Sequence, residues 1–205
     1  MSTRGEVRAV TAVSIATEVI QARLHAGRNP RDDGFFDSDS SGRAAGEELA
    51  EAMLRATERA YEEKKVPYIG RLYAKLCFDA TISAAEANHL LRLADALSYR
   101  QFLLLQLFSR EEPAPGGKEP WDGTEVAVEV NHVLSEALDL YSRGLLQNDN
   151  LVTVRPLDLQ TSCVRTRGVG VQLVWTMGLE VIEDAGELNR LQQVLTGHEA
   201  RAFGR

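Results

Sequence analysis

The sequence predicts a mainly α-helical protein, with an N-terminal multi-helix domain and a C-terminal winged-helix-like unit that contains a small β-hairpin. The first observation is a pair of capping boxes, because Ser83 precedes Glu86 by three residues and Ser98 precedes Gln101 by three. In a capping box the two side chains bind the open backbone amides at a helix start. The second observation is a stretch rich in proline and glycine between two blocks of helical periodicity. The predicted organisation is a helical domain, a linker and a winged-helix-like domain: residues 1–108, 109–123 and 124–205.

The first helix is predicted from about Glu6 to Ala26. Its apolar positions share one stripe that we expect to be buried, namely Val13, Ala16, Ile20 and Leu24. Charged residues interrupt this segment, whereas a signal peptide needs a compact uncharged core and a membrane span needs about 20 mostly apolar residues. We therefore expect a packed helix in a cytoplasmic protein without a membrane segment. The polar loop 27–42 follows, and then two more helices separated by Pro67.

The helix that begins at Ser98 is apolar on nearly every side. From Phe102 to Phe108 only Gln106 is polar, and the whole predicted helix is about ten residues long. Such a run is too short to cross a bilayer, so a helix of this kind must be surrounded by other helices. The sequence therefore predicts that it is the central core helix of the N-terminal domain.

The C-terminal domain has the element order of a winged-helix-like unit. A helix with regular apolar positions ends at Gly144, and a third capping box, formed by Asp184 and Glu187, begins the last helix. Between them lie two β-branched runs, residues 151–160 and 161–166, that favour a hairpin, followed by another helix.

Composition limits the classes of function. The chain has 205 residues and a formal net charge of −7, which argues against a general nucleic-acid-binding protein because such proteins usually carry a basic surface. Cys77 and Cys163 are far apart in apolar-rich settings, which favours buried, reduced thiols over a disulfide.

Two Glu-x-x-His pairs are candidate metal ligands. They are Glu86 with His89 and Glu129 with His132. Side chains three residues apart share a helix face, and di-iron carboxylate bundles use two such pairs with a Glu from each of two further helices, a role open to Glu51 or Glu58. The preferred alternative is structural: Glu86 is engaged in its capping box and Glu129 faces solvent.

A second candidate metal site resembles an EF-hand calcium loop. Its ligand positions would be occupied by Asp37, Asp39, Ser41 and Glu48, with Gly42 at the turn. The preceding segment cannot supply the entering helix, and Ala44 replaces the usual branched apolar residue. We therefore favour an acidic, serine-rich solvated linker.

Signals for catalysis are weak. The sequence contains no Gly-x-Ser-x-Gly elbow, and Gly168 and Gly170 are not followed by the Lys-Ser/Thr pair of a phosphate loop. We predict no catalytic residue and no cofactor.

Four segments carry a family resemblance. They begin at Glu62, Ala87, Leu138 and Val164 and read "EEKKVPYIGRLYAKLCFD", "ANHLLRLADALSYRQFLLLQLF", "LDLYSRGLL" and "VRTRGVGVQLVWTMGL". This order resembles a group of bacterial helical proteins of unassigned function and is similar to the abortive-infection alpha family, which is linked to phage resistance. The matching residues are Leu97 with Ser98, Gly144 to Leu146, and Thr166 with Gly170. The resemblance implies a role in phage defence and transfers no catalytic residue.

The expected function is that of a non-enzymatic interaction or regulatory protein that binds a protein partner or its own copy. The apolar strip Val171, Trp175 and Leu179 is the predicted interaction surface. From Trp121 to Arg205 there are 12 Asp and Glu against 7 Lys and Arg, a net charge of −5, so nucleic acid is an unlikely partner. The alternatives are a winged-helix DNA-binding regulator and a metal-dependent helical enzyme that uses the Glu-x-x-His pairs.

Overall fold

The computed structural model describes residues 3–38, 40, 42–110, 128–148 and 164–195. Within these residues the chain is mainly helical, with a two-stranded antiparallel hairpin near the C-terminus, as the sequence predicts. The helices are α1 Arg4–His25, α2 Ala45–Arg59, α3 Val66–Leu76, α4 Ala84–Ala96, α5 Tyr99–Ser109, α6 Val128–Ser142, α7 Val169–Met177 and α8 Ala185–Leu195. The strands are β1 Leu146–Asn148 and β2 Val164–Thr166, and short 3-10 turns occur at Glu63–Lys65 and Leu179–Val181.

The chain divides into two compact units. The first unit comprises Met1–Tyr99 with Trp175–Gly178, and the second comprises Arg100–Val174 with Leu179–Arg205. The division falls at the first turn of α5, whereas the sequence placed it after α5, in the linker 109–123. Most of that linker, from residue 111, lies outside the described residues.

Helix α5 is a core helix, but of the second unit. Every residue from Gln101 to Phe108 is buried. The Gln101 side-chain amide donates to Asp139 Oδ2 at 2.8 Å, and the Thr166 hydroxyl donates to the Leu105 carbonyl at 3.1 Å. Because both partners belong to the second unit, α5 packs with the chain that follows it.

Helix α1 is held in the first unit by its small residues. It begins with a capping box between Thr3 and Glu6, which the sequence reading missed, and it buries Ala9, Ala12 and Ala16. A Cβ atom added at Gly70 of α3 would lie 2.6 Å from the Ala12 carbonyl oxygen. The backbones of α1 and α3 therefore approach each other at a point where only glycine fits.

Because of this close approach, α1 buries a different face from the one that the sequence predicts. Of its four residues only Ala16 is buried, Ile20 is half-buried, and Val13 and Leu24 are exposed. Periodicity favours the face with the largest side chains, but close helix packing at Gly70 selects the face with the smallest ones.

The other helices of the first unit follow the sequence closely. Helix α2 buries Leu49, Met53 and Ala56 on one face, and Ala60 directly after it is buried as well. Helix α3 carries Pro67 in its first turn, where a missing amide hydrogen costs nothing. The capping box of Ser83 and Glu86 begins α4 as predicted, with the Glu86 amide donating to Ser83 Oγ at 3.3 Å.

The hairpin of the second unit begins earlier than predicted. Leu146 pairs with Thr166 and Asn148 pairs with Val164. The partner of β2 is thus the segment directly after Gly144, whose φ of 71° ends the α6 turn. The predicted strand in residues 151–160 lies outside the described residues.

Candidate functional site

The first Glu-x-x-His pair is occupied at its glutamate. Glu86 Oε2 accepts the Ser83 amide at 2.8 Å and the Ser83 hydroxyl at 2.7 Å. These hydrogen bonds, the one from the hydroxyl above all, lower the pKa of Glu86 because they favour its charged form. His89 is exposed on the same helix. The carboxylate therefore has a capping role, as the structural alternative predicts.

The second pair also has an engaged glutamate. Glu129 forms an ion pair with Arg190 of α8, with Nη2 to Oε1 at 2.6 Å, so it does not simply face solvent as predicted. His132 is exposed. The two pairs belong to different units. Across the described residues, no three His, Cys, Asp or Glu side chains form a group that could hold a metal ion.

The candidate calcium loop is described only in part. Asp39 and Ser41 lie outside the described residues, whereas Asp37 and Glu48 are exposed, Glu48 on the first turn of α2. Before the loop, residues 28–34 form no helix, so the entering helix of an EF-hand is absent there.

The residues just before this loop are packed into the first unit, whereas the described residues of the loop from Asp37 to Arg43 are exposed. Phe35 is buried, and its carbonyl accepts the Gly46 amide at 2.8 Å. A Cβ atom at Gly46 would come within 2.8 Å of the Phe36 ring, so the start of α2 packs directly on the two phenylalanines. This segment is thus an ordered part of the first unit.

Arg31 anchors the polar loop 27–42, a role that the sequence did not predict. Its buried guanidinium donates to the Leu76 and Ile82 carbonyls at 3.3 and 2.8 Å, and it lies 4.2 Å from the centre of the Phe35 ring. It also pairs with Asp33, and this hydrogen-bonded pairing lowers the pKa of the Asp33 carboxyl. Adjacent phenylalanines in a polar loop were the available signal, because a solvated linker seldom needs them.

A cleft of about 660 Å³ in the first unit is lined by the turn between α4 and α5 and by the 3-10 turn Glu63–Lys65. Glu62 Oε2 accepts the Tyr99 amide at the start of α5 at 2.9 Å, and Lys65 Nζ donates to the Asp95 carbonyl near the end of α4 at 2.7 Å. Burial lowers the pKa of Lys65. A carboxylate at a helix start and an ammonium at a helix end both stabilise the helix dipoles, so these side chains have a structural role.

The predicted interaction strip on α7 is only partly available. Val171 is 50% exposed and Trp175 is 48% exposed, one helical turn apart, but Leu179 is fully buried. Leu179 lies in the 3-10 turn that follows α7, where the change of helix type takes its side chain away from the strip. The exposed part of the prediction therefore consists of Val171 and Trp175.

Helix α1 carries a longer row of exposed, uncharged positions than the strip on α7. Val7, Val10 and Leu24 are 56%, 67% and 46% exposed, and Val13 is exposed beside them. The exposed positions in line with them carry Ser14, Thr17 and Gln21, and the exposed Glu18 lies at the edge of this row, where its carboxylate accepts the Ser14 hydroxyl at 3.4 Å. By contrast, α2 of the same unit exposes charged side chains, namely Glu47, Glu48, Arg55, Glu58 and Arg59. We call the six residues Val7, Val10, Ser14, Thr17, Gln21 and Leu24 the α1 stripe.

Two of the three groups of residues behind the resemblance, Gly144–Leu146 and Thr166 with Gly170, meet in the second unit. The Arg167 amide donates to the Leu145 carbonyl at 3.2 Å. A Cβ atom at Gly170 would lie 2.1 Å from that oxygen and 2.8 Å from Thr166 Cγ2. The Gly-Leu-Leu turn and the Thr-x-x-x-Gly segment therefore form one packing contact.

No protein-family model, curated protein or solved structure matches this chain. The similarity to the abortive-infection alpha family consequently rests on the sequence motifs alone. In the part of the chain that the structure describes, none of the helices has both the length and the apolar character to span a membrane.

Proposed function

We propose that this chain is a non-enzymatic interaction protein that binds a protein partner through the α1 stripe. The observation that carries the proposal is a row of six exposed, uncharged positions along α1, with a charged residue, Glu18, only at its edge. Uncharged side chains can be buried in an interface without the large cost of desolvating a charge. Contiguous exposed apolar surface marks interaction sites in soluble proteins.

The engaged glutamates support binding over metal chemistry. Glu86 satisfies the start of α4, and Glu129 is paired with Arg190. Each would have to give up a stabilising contact before it could ligate a metal ion.

The second unit is proposed to be winged-helix-like and to bind protein rather than DNA. The order of α6, a two-stranded hairpin, α7 and α8 supports the first part. The net charge of −5 from Trp121 to Arg205 supports the second, because phosphate neutralisation supplies most non-specific DNA affinity. On α6, Glu136 and Asp139 are held by Arg100 and Arg143, which reduces the repulsion of a phosphate backbone but provides no basic surface.

A role in phage defence in a bacterial cytoplasm is also proposed, on the resemblance alone. A free, buried Cys77 thiol is consistent with a reducing compartment. In a phage-sensitive host that expresses the chain, we expect fewer plaques than in a host with the empty vector. An unchanged plaque number for a panel of phages would contradict this role.

The binding surface is tested with a double variant, Val10→Lys with Leu24→Lys. Lysine is a good helix former, so α1 should fold normally while its stripe gains two charges. We expect the purified variant to lose the partners, whether other proteins or its own copy, that the wild type retains in pull-down and light-scattering experiments.

The matched control is Tyr61→Lys, because Tyr61 is completely exposed in the same unit but lies outside α1. It should retain the partners of the wild type. Partners that are retained equally by the wild type and by the double variant would disprove the α1 stripe as the binding surface.

A further inference from the structure

The spacing of the α1 stripe is that of a helix-pairing seam. Its positions alternate by three and four residues, which is the 3.5-residue repeat by which two helices pack side by side. The stripe spans two and a half such repeats, over which a straight helix drifts from the seam by only about 20° per repeat. A single partner helix can therefore contact its whole length.

The stripe is also nearly symmetric about its own midpoint. Counted from the two ends, Val7 corresponds to Leu24, Val10 to Gln21 and Ser14 to Thr17. A twofold dimer uses the same surface on both subunits, so this surface must be complementary to itself. In an antiparallel pair the end contacts join Val7 to Leu24, the next contacts join Val10 to Gln21, and the central contacts join small hydroxyl side chains. The helix dipoles of such a pair are opposed favourably.

We infer that the partner of the α1 stripe is α1 of a second copy of this chain, packed antiparallel. The inference rests on the proposed function and names its partner. Because the chain carries a net charge of −7, two copies repel each other least when they meet at uncharged positions such as the six of the α1 stripe.

The contact area between two α1 helices limits how stable such a dimer can be. Helix α1 has 22 residues. At about 1.5 Å per residue and a diameter of about 10 Å, one helix pair covers a footprint of roughly 33 by 10 Å. Even the two sides together lie below the roughly 1,200 Å² of total area that the smallest stable interfaces bury, so we expect a weak, concentration-dependent dimer.

The first measurement is the mass in solution over a range of concentrations. The wild type and Tyr61→Lys should pass from monomer to dimer, whereas Val10→Lys with Leu24→Lys should remain monomeric. A wild type that is monomeric up to about 1 mM, or a double variant that still dimerises, would overturn the inference.

The second measurement fixes the orientation by disulfide formation in a Cys163→Ser parent. A tagged Val7→Cys chain is mixed with an untagged Leu24→Cys chain under mild oxidation. Antiparallel packing brings these positions together and separates the two Val7→Cys sites by about 25 Å, beyond the reach of a disulfide. We expect the mixed disulfide to dominate, and a dominant Val7→Cys self-disulfide would overturn the antiparallel arrangement.

The two proposals fail in different ways. The wild type could be monomeric and capture a different protein that the double variant does not capture. That result would exclude the second copy as the partner but would retain the α1 stripe as a binding surface. If neither self-association nor capture depends on α1, both proposals are overturned.

Discussion

The guanidinium of Arg31 joins three segments of the first unit: the loop after α1, the end of α3 and the residue before the α4 cap. Two of its acceptors are backbone carbonyls, of Leu76 and Ile82. The Leu76 carbonyl also accepts the Asp79 amide at 3.4 Å, so the loss of Arg31 would leave its desolvation cost uncompensated mainly at the Ile82 carbonyl.

We expect Arg31→Ala to lower the free energy of unfolding by roughly 1–3 kcal/mol, because it removes the donor to the Ile82 carbonyl, one of two donors to the Leu76 carbonyl, and the cation over Phe35. Urea titration measures the change. Arg31→Lys should recover only part of it, since one ammonium cannot reproduce the planar fork. The matched control is Arg43→Ala, which removes an exposed ion pair with Glu51 and should change stability little. Equal losses for Arg31→Ala and Arg43→Ala would show that Arg31 is not an anchor.

Glu86 gives the stability a defined dependence on pH. Its pKa is lower in the folded chain than its usual value of 4.5, so its contribution is present above that value and is lost as the pH falls through the folded pKa. Glu86→Gln keeps the capping geometry but removes the charge. We therefore expect the wild type to be more stable than Glu86→Gln at neutral pH, and the difference in unfolding free energy to vanish as the pH falls through the lowered pKa of Glu86.

The test is a series of denaturant titrations across this range of pH. In a Ser83→Ala background the same comparison should give a smaller difference at neutral pH, because the hydroxyl that stabilises the charge is gone. A difference that does not change with pH would show that the Glu86 charge has no part in the cap.

At the level of elements, the contact of α1 with α3 decides which face of α1 is exposed. Ala12 and Gly70 bring the two backbones together, and the bulkier valines are left on the outside. The α1 stripe is therefore a consequence of how α1 is packed.

Gly70→Ala tests this packing. The added methyl group would meet the Ala12 carbonyl, so α1 would have to shift, and we expect a loss of about 1–3 kcal/mol in thermal or urea unfolding. Gly5→Ala is the graded comparison, because its Cβ atom would lie 3.1 Å from the Glu58 carbonyl and needs only a small adjustment. A loss in Gly5→Ala as large as that in Gly70→Ala would contradict the close approach at Gly70.

At the level of the whole molecule, the two units have separate internal contacts. The second unit depends on the meeting of the Gly144–Leu146 turn with Thr166 and Gly170, and the first depends on α1, α3 and the Arg31 loop. A substitution that destabilises one unit should therefore raise hydrogen exchange in that unit first.

We expect Gly170→Ala to raise hydrogen exchange in α6 and β1 while α1 and α2 keep the protection of the wild type. The reason is steric, because the new methyl group would overlap the Leu145 carbonyl. Gly186→Ala is the control, since nothing lies within 4 Å of its added Cβ atom in the same unit. Equal loss of protection in both units would mean that they unfold as one.

The sequence by itself determined the helical class and most helix starts. The caps at Ser83 and Asp184 involve residues only three positions apart, so they can be predicted without any knowledge of the fold. The burial of α5 was equally predictable, because a helix apolar on nearly all sides has no other stable environment.

The tertiary structure decided what depends on contacts between distant residues. These are the exposure of the α1 valines, the pairing of Glu129 with Arg190, the assignment of α5 to the second unit and the burial of Leu179. Arg31 is the clearest case, since its carbonyl acceptors lie 45 and 51 residues away. Local periodicity and capping reach across one or two helical turns, whereas the face that a helix buries depends on the shape of its neighbour.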